Sequence, residues 1–409
     1  MNVLNEGYHD NNIFFNKGKG SLIFSKKKNY IDLTSGSGCL ILGHNNKILK
    51  DSIYKFLKLD ISNFALPNKY AVEFANSLKK IYPQFAKFIF CNSGAEANIK
   101  ALRICKALTN KKKIVSVSGS WHGSVDQFLF TSNKHNQPIP ISAGLDDNKK
   151  NLVYIPYNNI KVSLAILNKN IKKICCVFIE PIQGSLPSKE SEDYVIFLSN
   201  YCKKNNIIFV MDEIITGLRV DGSSIQNKLN IFSDISIFGK CFGNGIPISF
   251  IGISKKIDKL IYNKKKKIYF GGTYSANSFS TFVANQTLKF ILANKKKIFD
   301  RIQNSSKIFK DKINYFIQRN NIDAKVYGYD SILRIIFSKN PVNNRVQRDF
   351  LERNKNKNVL KFKNYLLKKG ILYPKNGIIF FSYSLTRDQL FYLIKNINFA
   401  LNKFLKKNI

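Results

Sequence analysis

The sequence predicts a large, doubly wound α/β domain together with a smaller α+β domain. From about residue 70 onward, short apolar runs alternate with stretches of helical spacing, which is typical of a sheet covered by helices on both faces. Several of these runs end in glycine or polar residues, at the strand ends where α/β folds bind ligands. The candidate strands lie at 114–116, 152–155, 174–179, 207–211, 235–238 and 250–253.

The regions on either side of this central part have a different pattern. Short apolar runs at 20–24 and 30–33 predict two strands around a basic turn, and the spacing over 47–59 predicts a helix. A long helix is expected from Asn277 to about residue 293, followed by mixed helices and strands near 332–337 and 378–381. We therefore expect three parts: an N-terminal segment at 1–65 packing with the small domain, a large domain at 66–280, and a small domain at 281–409.

Composition indicates a folded chain, which we expect to be cytoplasmic. Its 409 residues are 44% apolar and 13% aromatic, enough for a large buried core. No apolar stretch approaches the ~18 residues of a membrane-spanning helix, and the first residues lack a signal-peptide pattern. Seven scattered cysteines without a Cys-x-x-Cys pair, and only four histidines, argue against a disulfide framework or a metal site. Cys175 and Cys176 lie in an apolar run and are expected to be buried.

The net charge of +40 raises the question of a nucleic-acid partner. The lysines do not gather into one arm but form short runs, such as those at 26–28, 111–113 and 264–267. Because runs of like charge are usually solvated faces, we favour surface lysines over a nucleic-acid interface. The partners that we expect are small molecules, with no nucleic acid and no membrane.

Lys240 is the residue on which a functional hypothesis can be built. It follows the apolar run 235–238 and lies between Gly239 and a second glycine, Gly243, apart from the solvated lysine runs. An amine buried at the end of a strand has a lowered pKa, so that it can act as a nucleophile and as a base. The setting of Lys240, rather than its residue type, distinguishes it.

A Ser-Gly helix start follows an earlier apolar run. Ser93, Gly94, Ala95 and Glu96 come directly after residues 87–91. One interpretation is a capping box, in which Ser93 caps the helix and Glu96 bonds back. The other is a phosphate site on the same free N–H groups, and the two are compatible.

Two further apolar runs end in carboxylates. Asp212 follows 207–211 and either holds a protonated pyridine nitrogen or caps the next helix. Glu180 and Gln183 follow 174–179 and offer a second carboxylate and an amide. Gln183 could bond a phenolic oxygen, or belong to a tight turn.

Trp121 and His122 follow another candidate strand. Trp121 could stack on a flat ring or pack in the core, and His122 could orient the ring or be a satisfied buried histidine. Together, a lysine amine, a strand-end aspartate and a phosphate-binding helix start are the groups that pyridoxal 5′-phosphate (PLP) requires. We therefore predict PLP as the cofactor.

These segments in order resemble the class III aminotransferases of PLP fold type I, and within them the glutamate-1-semialdehyde aminomutase-like group. The resemblance spans most of the chain and implies a large domain with a mixed, mostly parallel sheet. The residues at 156–158 and 216–220 favour the aminomutase-like group. The motifs that carry the resemblance lie at 30–32, 40–44, 92–97, 121–123, 180–184, 212–220, 239–240 and 271–277.

The resemblance also implies roles for individual residues. It implies a homodimer with active sites at the subunit interface, in which Thr273 reaches the cofactor phosphate of the neighbouring subunit. By the same matching, Lys240 carries the cofactor and Asp212 holds its pyridine nitrogen, so that these two are the catalytic residues. The implied cofactor-binding residues are Ser93, Gly94, Ala95, Trp121, His122, Glu180, Gln183, Asp212, Lys240 and Thr273.

Four replacements depart from the family pattern. Trp121 stands where tyrosine or phenylalanine is usual, and Ala95 where threonine is commoner. In the C-terminal region Gly377 takes the place of the aminomutase glutamate and Leu385 that of its histidine. The amino-terminal Asn-Ser-Pro-Val-Arg segment of the aminomutase has no match here. Substrate-facing parts have therefore changed more than cofactor-facing parts.

Because of these changes, we expect an aminotransferase that moves nitrogen between an amine donor and a separate carbonyl acceptor. The alternative is the aminomutase, which moves nitrogen within one molecule, and a remote alternative is a binding or regulatory protein without catalysis. Arg219 and Arg334 are candidates for binding a substrate carboxylate, although a surface position is the commoner explanation for an arginine.

Overall fold

The structure, a computed structural model, describes residues 13–145 and 148–406. The outermost parts of the segments predicted at 1–65 and 281–409 thus lie outside the described residues. The strands are β1 (Phe15–Lys19), β2 (Leu22–Ser25), β3 (Asn29–Asp32), β4 (Phe85–Cys91), β5 (Lys113–Val117), β6 (Phe130–Ser132), β7 (Pro138–Pro140), β8 (Leu152–Ile155), β9 (Ile174–Ile179), β10 (Ile208–Asp212), β11 (Ile235–Phe238), β12 (Ser249–Ser254), β13 (Lys325–Tyr329), β14 (Ile332–Ile336), β15 (Ile371–Leu372) and β16 (Ile378–Phe380). The helices are α1 (Ser35–Gly38), α2 (Lys47–Leu57), α3 (Lys69–Ile81), α4 (Gly94–Thr109), α5 (Ile160–Asn170), α6 (Ser191–Lys204), α7 (Ile225–Lys228), α8 (Lys255–Tyr262), α9 (Ser278–Ala293), α10 (Lys295–Arg319), α11 (Arg345–Glu352), α12 (Asn356–Lys368) and α13 (Arg387–Leu405).

The largest sheet contains seven strands in the order β4-β12-β11-β10-β9-β5-β8. Strand β12 pairs antiparallel with both of its neighbours, and the remaining pairs are parallel. Strands β9, β10 and β11 are buried along their whole length, as expected for parallel strands covered on both faces. Cys175 and Cys176 of β9 are fully buried, as predicted. The predicted doubly wound, mostly parallel sheet is confirmed.

Two smaller sheets are built largely from the ends of the chain. One has the order β1-β2-β3-β15, in which β15 runs parallel to β3 and pairs Ile371 with Ile31. The other has the order β13-β14-β16. The first sheet thus joins the N-terminal segment to the C-terminal region. The domain limits given above stay a prediction.

Helices cover these sheets, and none of those described is suited to a bilayer. Phe309 of α10, Phe362 of α12 and Leu393 of α13 belong to one apolar cluster, which also includes Leu333 and Ile335 of β14. Within residues 13–145 and 148–406, no helix has both the length and the apolar character needed to cross a membrane.

Arg219 is buried in the middle of the molecule, so the interpretation as a surface arginine is wrong for this residue. It is only 1% exposed. Its Nη1 donates to Ser331 Oγ at 2.8 Å and to Phe381 O at 3.1 Å, and its Nη2 donates to Gly38 O at 2.7 Å. The guanidinium therefore joins the N-terminal segment, the large sheet region and the C-terminal region. Both terminal nitrogens are thus bonded within the protein, while Nε is buried without a hydrogen-bond partner among the described residues.

Replacing this arginine is expected to destabilise the fold. Arg219→Met removes the charged donor and leaves the carbonyl oxygens of Gly38 and Phe381 buried without it, which costs about 3 kcal/mol of the free energy of unfolding. The measurement is the urea midpoint at fixed protein and cofactor concentration. Arg319→Met, at an exposed arginine of α10, is the matched control and should change the free energy by less than about 0.5 kcal/mol. Equal midpoints for the two variants would contradict this role of Arg219.

Candidate active site

The predicted site residues follow strands that point the same way. Because β4, β5, β9, β10 and β11 are mutually aligned, their carboxyl ends lie at one edge of the sheet, where α/β folds bind ligands. Each of these strands ends at, or is followed by, a predicted site residue. In the same strand order, these are Ser93, Trp121, Glu180, Asp212 and Lys240.

Asp212 lies buried at the end of β10 within a set of hydrogen bonds. Its Oδ2 is 2.8 Å from His122 Nδ1 and accepts a bond from Asn98 Nδ2 at 3.1 Å. Its Oδ1 accepts a bond from the backbone N–H of Ile214 at 3.1 Å, which is the local capping contact considered from sequence. These donors fix the orientation of the carboxylate, because each holds one oxygen in a defined direction. Asp212 can therefore present a fixed negative charge to a cationic ring nitrogen.

His122 is a buried histidine that holds the Asp212 carboxylate in place. The ring is 2% exposed and packs edge-on against Phe128 and Phe178, with centroid distances of 4.9 and 5.7 Å. Since a carboxylate only accepts hydrogen bonds, Nδ1 is assigned as the protonated nitrogen. Nε2 is buried and has no partner among the described residues. His122 is therefore a buried histidine with one of its two ring nitrogens bonded, and a role in orienting the cofactor ring stays a prediction.

Asn98 is a site residue that the sequence reasoning missed. Its Nδ2 also donates to Gly94 O at 3.0 Å and to His122 O at 3.1 Å, so it links the start of α4 to the segment after β5. It is fully buried on the inner face of α4. The sequence does give one sign of this role, because Asn98 lies among the alanines and leucines on the buried face of α4. A buried amide needs hydrogen-bond partners.

The start of α4 leaves backbone donors free for a phosphate. Ser93 caps the helix by accepting a bond from Glu96 N at 3.2 Å. Glu96 bonds back to Asn92 N at 2.9 Å, one residue before the position expected in a capping box. The N–H groups of Gly94 and Ala95 lie in the first turn, which has no intrahelical acceptor for them. The positive end of the helix dipole adds to their attraction for an anion.

Two glycines allow the site segments to pack closely. A Cβ at Gly94 would lie 2.1 Å from Ile214 Cδ1, two residues after Asp212. A Cβ at Gly123, where φ is +81°, would lie 3.0 Å from Ala95 Cβ. Only glycine permits both approaches without displacing a neighbour. The segments after β4, β5 and β10 therefore meet around the start of α4.

Trp121 and Glu180 are joined through the backbone of the tryptophan. Trp121 N donates to Glu180 Oε2 at 2.8 Å, while the indole side is 45% exposed. This exposure does not fit the core-packing interpretation, and stacking on a cofactor ring stays a prediction. Burial, and after it the negative charge of Asp212, raises the pKa of the Glu180 carboxyl to about 7. Glu180 can therefore hold or release a proton close to neutral pH.

Gln183 is fully buried, and its amide is already bonded within the protein. Its Nε2 donates to Ser118 O at 3.1 Å and to Ser120 Oγ at 2.9 Å, and its Oε1 accepts from Ser185 Oγ at 3.1 Å. A bond from Gln183 to the phenolic oxygen of the cofactor stays a prediction, and it would require one of these N–H bonds to be exchanged.

Lys240 lies in the turn after β11 with a left-handed backbone, at φ +45°. A non-glycine residue in this region stores about 1 kcal/mol of strain, which is common at functional positions. The side chain is half-buried. Burial lowers the pKa of the Lys240 amine, and the negative charges of Glu180 and Asp212 oppose this shift. The lowered pKa is the direction that a nucleophile and base requires.

Thr273 lies apart from the other predicted residues, on an exposed loop. Asn63 Nδ2 donates to Thr273 O at 3.0 Å, and Ser275 Oγ donates to Glu96 Oε1 at 3.2 Å. These hydrogen bonds hold the loop beside the first turn of α4, while Thr273 is exposed to solvent. Its contact with a neighbouring subunit stays a prediction.

Comparison with known proteins identifies the family. The chain matches the family described as Aminotransferase class-III over residues 3–377. It is 30% identical over 400 residues to the glutamate-1-semialdehyde 2,1-aminomutase of Methanosphaera stadtmanae, covering 96% of this chain and 92% of that protein. The chain belongs to the class III aminotransferases. The enzyme of the same name from Clostridium novyi is 29% identical over 405 residues, covering 97% of this chain and 92% of that protein.

Solved structures show the same fold as this class III aminotransferase. An omega-transaminase from Sphaerobacter thermophilus superposes with a TM-score of 0.87 at 20% identity, covering 95% of this chain and 90% of that chain. A glutamate-1-semialdehyde aminomutase from Pseudomonas aeruginosa superposes with a TM-score of 0.85 at 17% identity, covering 96% of this chain and 88% of that chain. The predicted family, fold, enzyme class and PLP cofactor are confirmed.

The described residues fit this cofactor. The unpaired N–H groups at the start of α4 suit a phosphate, and the oriented carboxylate of Asp212 suits a pyridinium nitrogen. Lys240 supplies the amine to which the cofactor aldehyde is expected to link. The two sequence relatives named glutamate-1-semialdehyde 2,1-aminomutase support the aminomutase alternative better than amino transfer between two separate molecules.

Proposed function

We propose that this class III aminotransferase converts glutamate 1-semialdehyde to 5-aminolevulinate by moving the amino group between adjacent carbons. The observation that carries this proposal is the similarity to proteins named glutamate-1-semialdehyde 2,1-aminomutase over 96% of this chain and 92% of the first relative. The bound PLP would supply the electron sink for this chemistry.

The side chains of the site suit the two tasks of such a reaction. Lys240, with its lowered pKa, would accept a proton from the substrate carbon that bears the amino group. It would then donate a proton to the adjacent carbon, which receives the amino group. Asp212, held by His122 and Asn98, would keep the ring nitrogen protonated throughout. Because both groups are oriented before substrate binds, little reorganisation is required during the reaction.

A second candidate is amino transfer between two separate molecules. Two replacements favour it, since Gly377 and Leu385 stand where the aminomutase has glutamate and histidine. Leu385 is 3% exposed and belongs to the main apolar cluster, so this position has lost a polar group altogether. A role without catalysis is disfavoured by the presence of Lys240 and of the oriented Asp212 carboxylate.

We also propose that the enzyme works as a homodimer in which Thr273 contacts the cofactor phosphate of the neighbouring subunit. The exposed threonine and the bonds that fasten its loop to α4 support this arrangement. The proposal predicts a dimer in solution.

Assay of the purified holoenzyme with glutamate 1-semialdehyde alone tests the proposed reaction. We expect many turnovers to 5-aminolevulinate without an added amine donor or carbonyl acceptor, because the nitrogen stays on one carbon skeleton. Formation of product only when a donor and an acceptor are added would contradict the aminomutase and support the second candidate. Lys240→Ala serves as the control for conversion that does not depend on the enzyme.

A further inference from the structure

Arg334 lies buried at the boundary between the small sheet and the large domain. It is 8% exposed, so the surface interpretation is wrong for this arginine as well. It lies on β14, opposite Tyr327 of β13 and Ile378 of β16. Its Nη1 donates to Asn376 O at 2.7 Å, at the turn before β16. The residue is thus part of the C-terminal region in which the sequence departs from the aminomutase pattern.

The alternation of side chains along β14 shows which way Arg334 points. Leu333 and Ile335 belong to the apolar cluster beneath α10, α12 and α13. Residues 332, 334 and 336 therefore share the opposite face. Ile336 on that face packs with Leu186, a large-domain residue that follows Gln183 by three positions. Arg334 consequently faces the large domain.

This face adjoins the loop that carries Gln183. Ile378, directly across from Arg334, lies against Gly184, where a Cβ would be 2.7 Å from Ile378 Cδ1. The neighbouring Gln183 is bonded to Ser118 and Ser120, immediately before Trp121. Arg334 is therefore separated from the candidate active site by a single loop.

The charge of Arg334 has no carboxylate in direct contact within the described part of the chain, although Glu352 and Asp349 act on it from a greater distance. No carboxylate among residues 13–145 and 148–406 lies within 4 Å of its nitrogens, whereas nearby Arg348 contacts Asp349 at 3.0 Å and Glu352 at 3.6 Å. A buried guanidinium without a carboxylate in contact is costly. Burial, and after it the positive charge of Arg348, lowers the pKa of Arg334 to about 10, which still leaves it charged at neutral pH.

The free edge of the Arg334 guanidinium has the geometry of a carboxylate site. Nη1 is used by Asn376 O, while Nε is buried and unpartnered and no hydrogen bond from Nη2 to a described residue is seen. Nε–H and Nη2–H lie parallel on one edge, which is the fork that binds both oxygens of a carboxylate. A Cβ at Gly377 would lie 3.1 Å from both Cζ and Nη2, so a larger residue at this position would crowd the guanidinium.

We propose that Arg334 binds a carboxylate of the substrate through its Nε–Nη2 edge. This inference rests on the proposed function for the presence of an amino-group substrate, and it applies to glutamate 1-semialdehyde and to an amino-acid donor alike, since both carry a carboxylate. The replacement of the family glutamate by Gly377 then has a physical reason. A glutamate at this position would compete with the substrate for the same guanidinium.

The test compares substrates with and without a carboxylate in wild type, Arg334→Gln and Arg334→Lys. For Arg334→Gln we expect KM for carboxylate substrates to rise about 10- to 100-fold with kcat nearly unchanged. Amino transfer from a carboxylate-free amine, followed by the visible absorbance of the bound cofactor, should change less than about threefold. Arg334→Lys should recover part of the lost affinity, because it keeps the charge without the fork. Arg345→Gln, at a neighbouring arginine paired with Asp349, is the matched control.

A binding measurement separates this inference from the proposed reaction. Calorimetric titration with glutarate, a five-carbon diacid without nitrogen, should give at least about tenfold weaker binding to Arg334→Gln than to wild type. This result is expected even if glutamate 1-semialdehyde is not converted, in which case only the proposed function fails. Equal glutarate affinity in the two proteins, or an equal loss with carboxylate and carboxylate-free substrates, would overturn the role of Arg334.

Discussion

Replacing Lys240 with alanine is expected to lower amino transfer about 10³-fold or more. The amine is the only group at the end of β11 placed to act both as nucleophile and as proton carrier among the described site residues, and alanine can do neither. Lys100, another buried lysine, is committed to Glu96 at 2.6 Å and to Ser275 at 3.1 Å, so it is not free to substitute. The measurement is the steady-state rate with saturating substrate and added PLP.

Two controls make this result specific. Lys203→Ala removes an exposed lysine of α6 and should leave the rate unchanged. Circular dichroism of Lys240→Ala should match wild type, because the residue contributes little apolar burial. A rate above about a tenth of wild type in a folded Lys240→Ala protein would contradict the catalytic role assigned to this amine.

Replacing Asp212 with asparagine is expected to lower kcat about 10²- to 10³-fold. Asparagine is nearly isosteric and can keep contact with Asn98 and His122, but it lacks the negative charge that keeps a pyridine nitrogen protonated. The loss should appear in kcat more than in KM, because the charge acts on the reacting cofactor rather than on substrate binding.

The measurement for Asp212→Asn is the complete rate curve at fixed pH with saturating PLP. Asp258→Asn, at a surface ion pair with Lys87, is the matched control and should leave kcat unchanged. A kcat for Asp212→Asn within about threefold of wild type would contradict the role of the carboxylate.

Much of the fold could be predicted because its strands are short, apolar and buried. The runs at 152–155, 174–179 and 235–238 coincide with β8, β9 and β11. Once such strands are parallel, the polar residues that follow them must share one edge. The grouping of Asp212, Glu180 and the turn at Lys240 follows from this geometry.

Other features depended on contacts between distant parts of the chain. Strand β15 has only two residues and is defined by its pairing with β3, which lies more than 330 positions earlier in the chain. No local sequence pattern therefore predicts this strand. Arg219 and Arg334 look alike in sequence, and each has a buried Nε without a partner among the described residues. They differ in their terminal nitrogens, since both Nη1 and Nη2 of Arg219 are bonded to distant residues, whereas only Nη1 of Arg334 is bonded to a described residue. Asn98 was missed for the same reason, since its partner Asp212 lies 114 residues away.

The position of the cofactor link is the most direct test of the site. The holoenzyme would be reduced with borohydride to make the link between PLP and protein permanent, digested, and analysed by mass spectrometry. We expect the cofactor mass on the peptide that contains Lys240, and its absence from the Lys240→Ala protein. Modification of a different lysine, or no modified peptide from a PLP-saturated protein, would contradict the assignment of Lys240 as the centre of this active site.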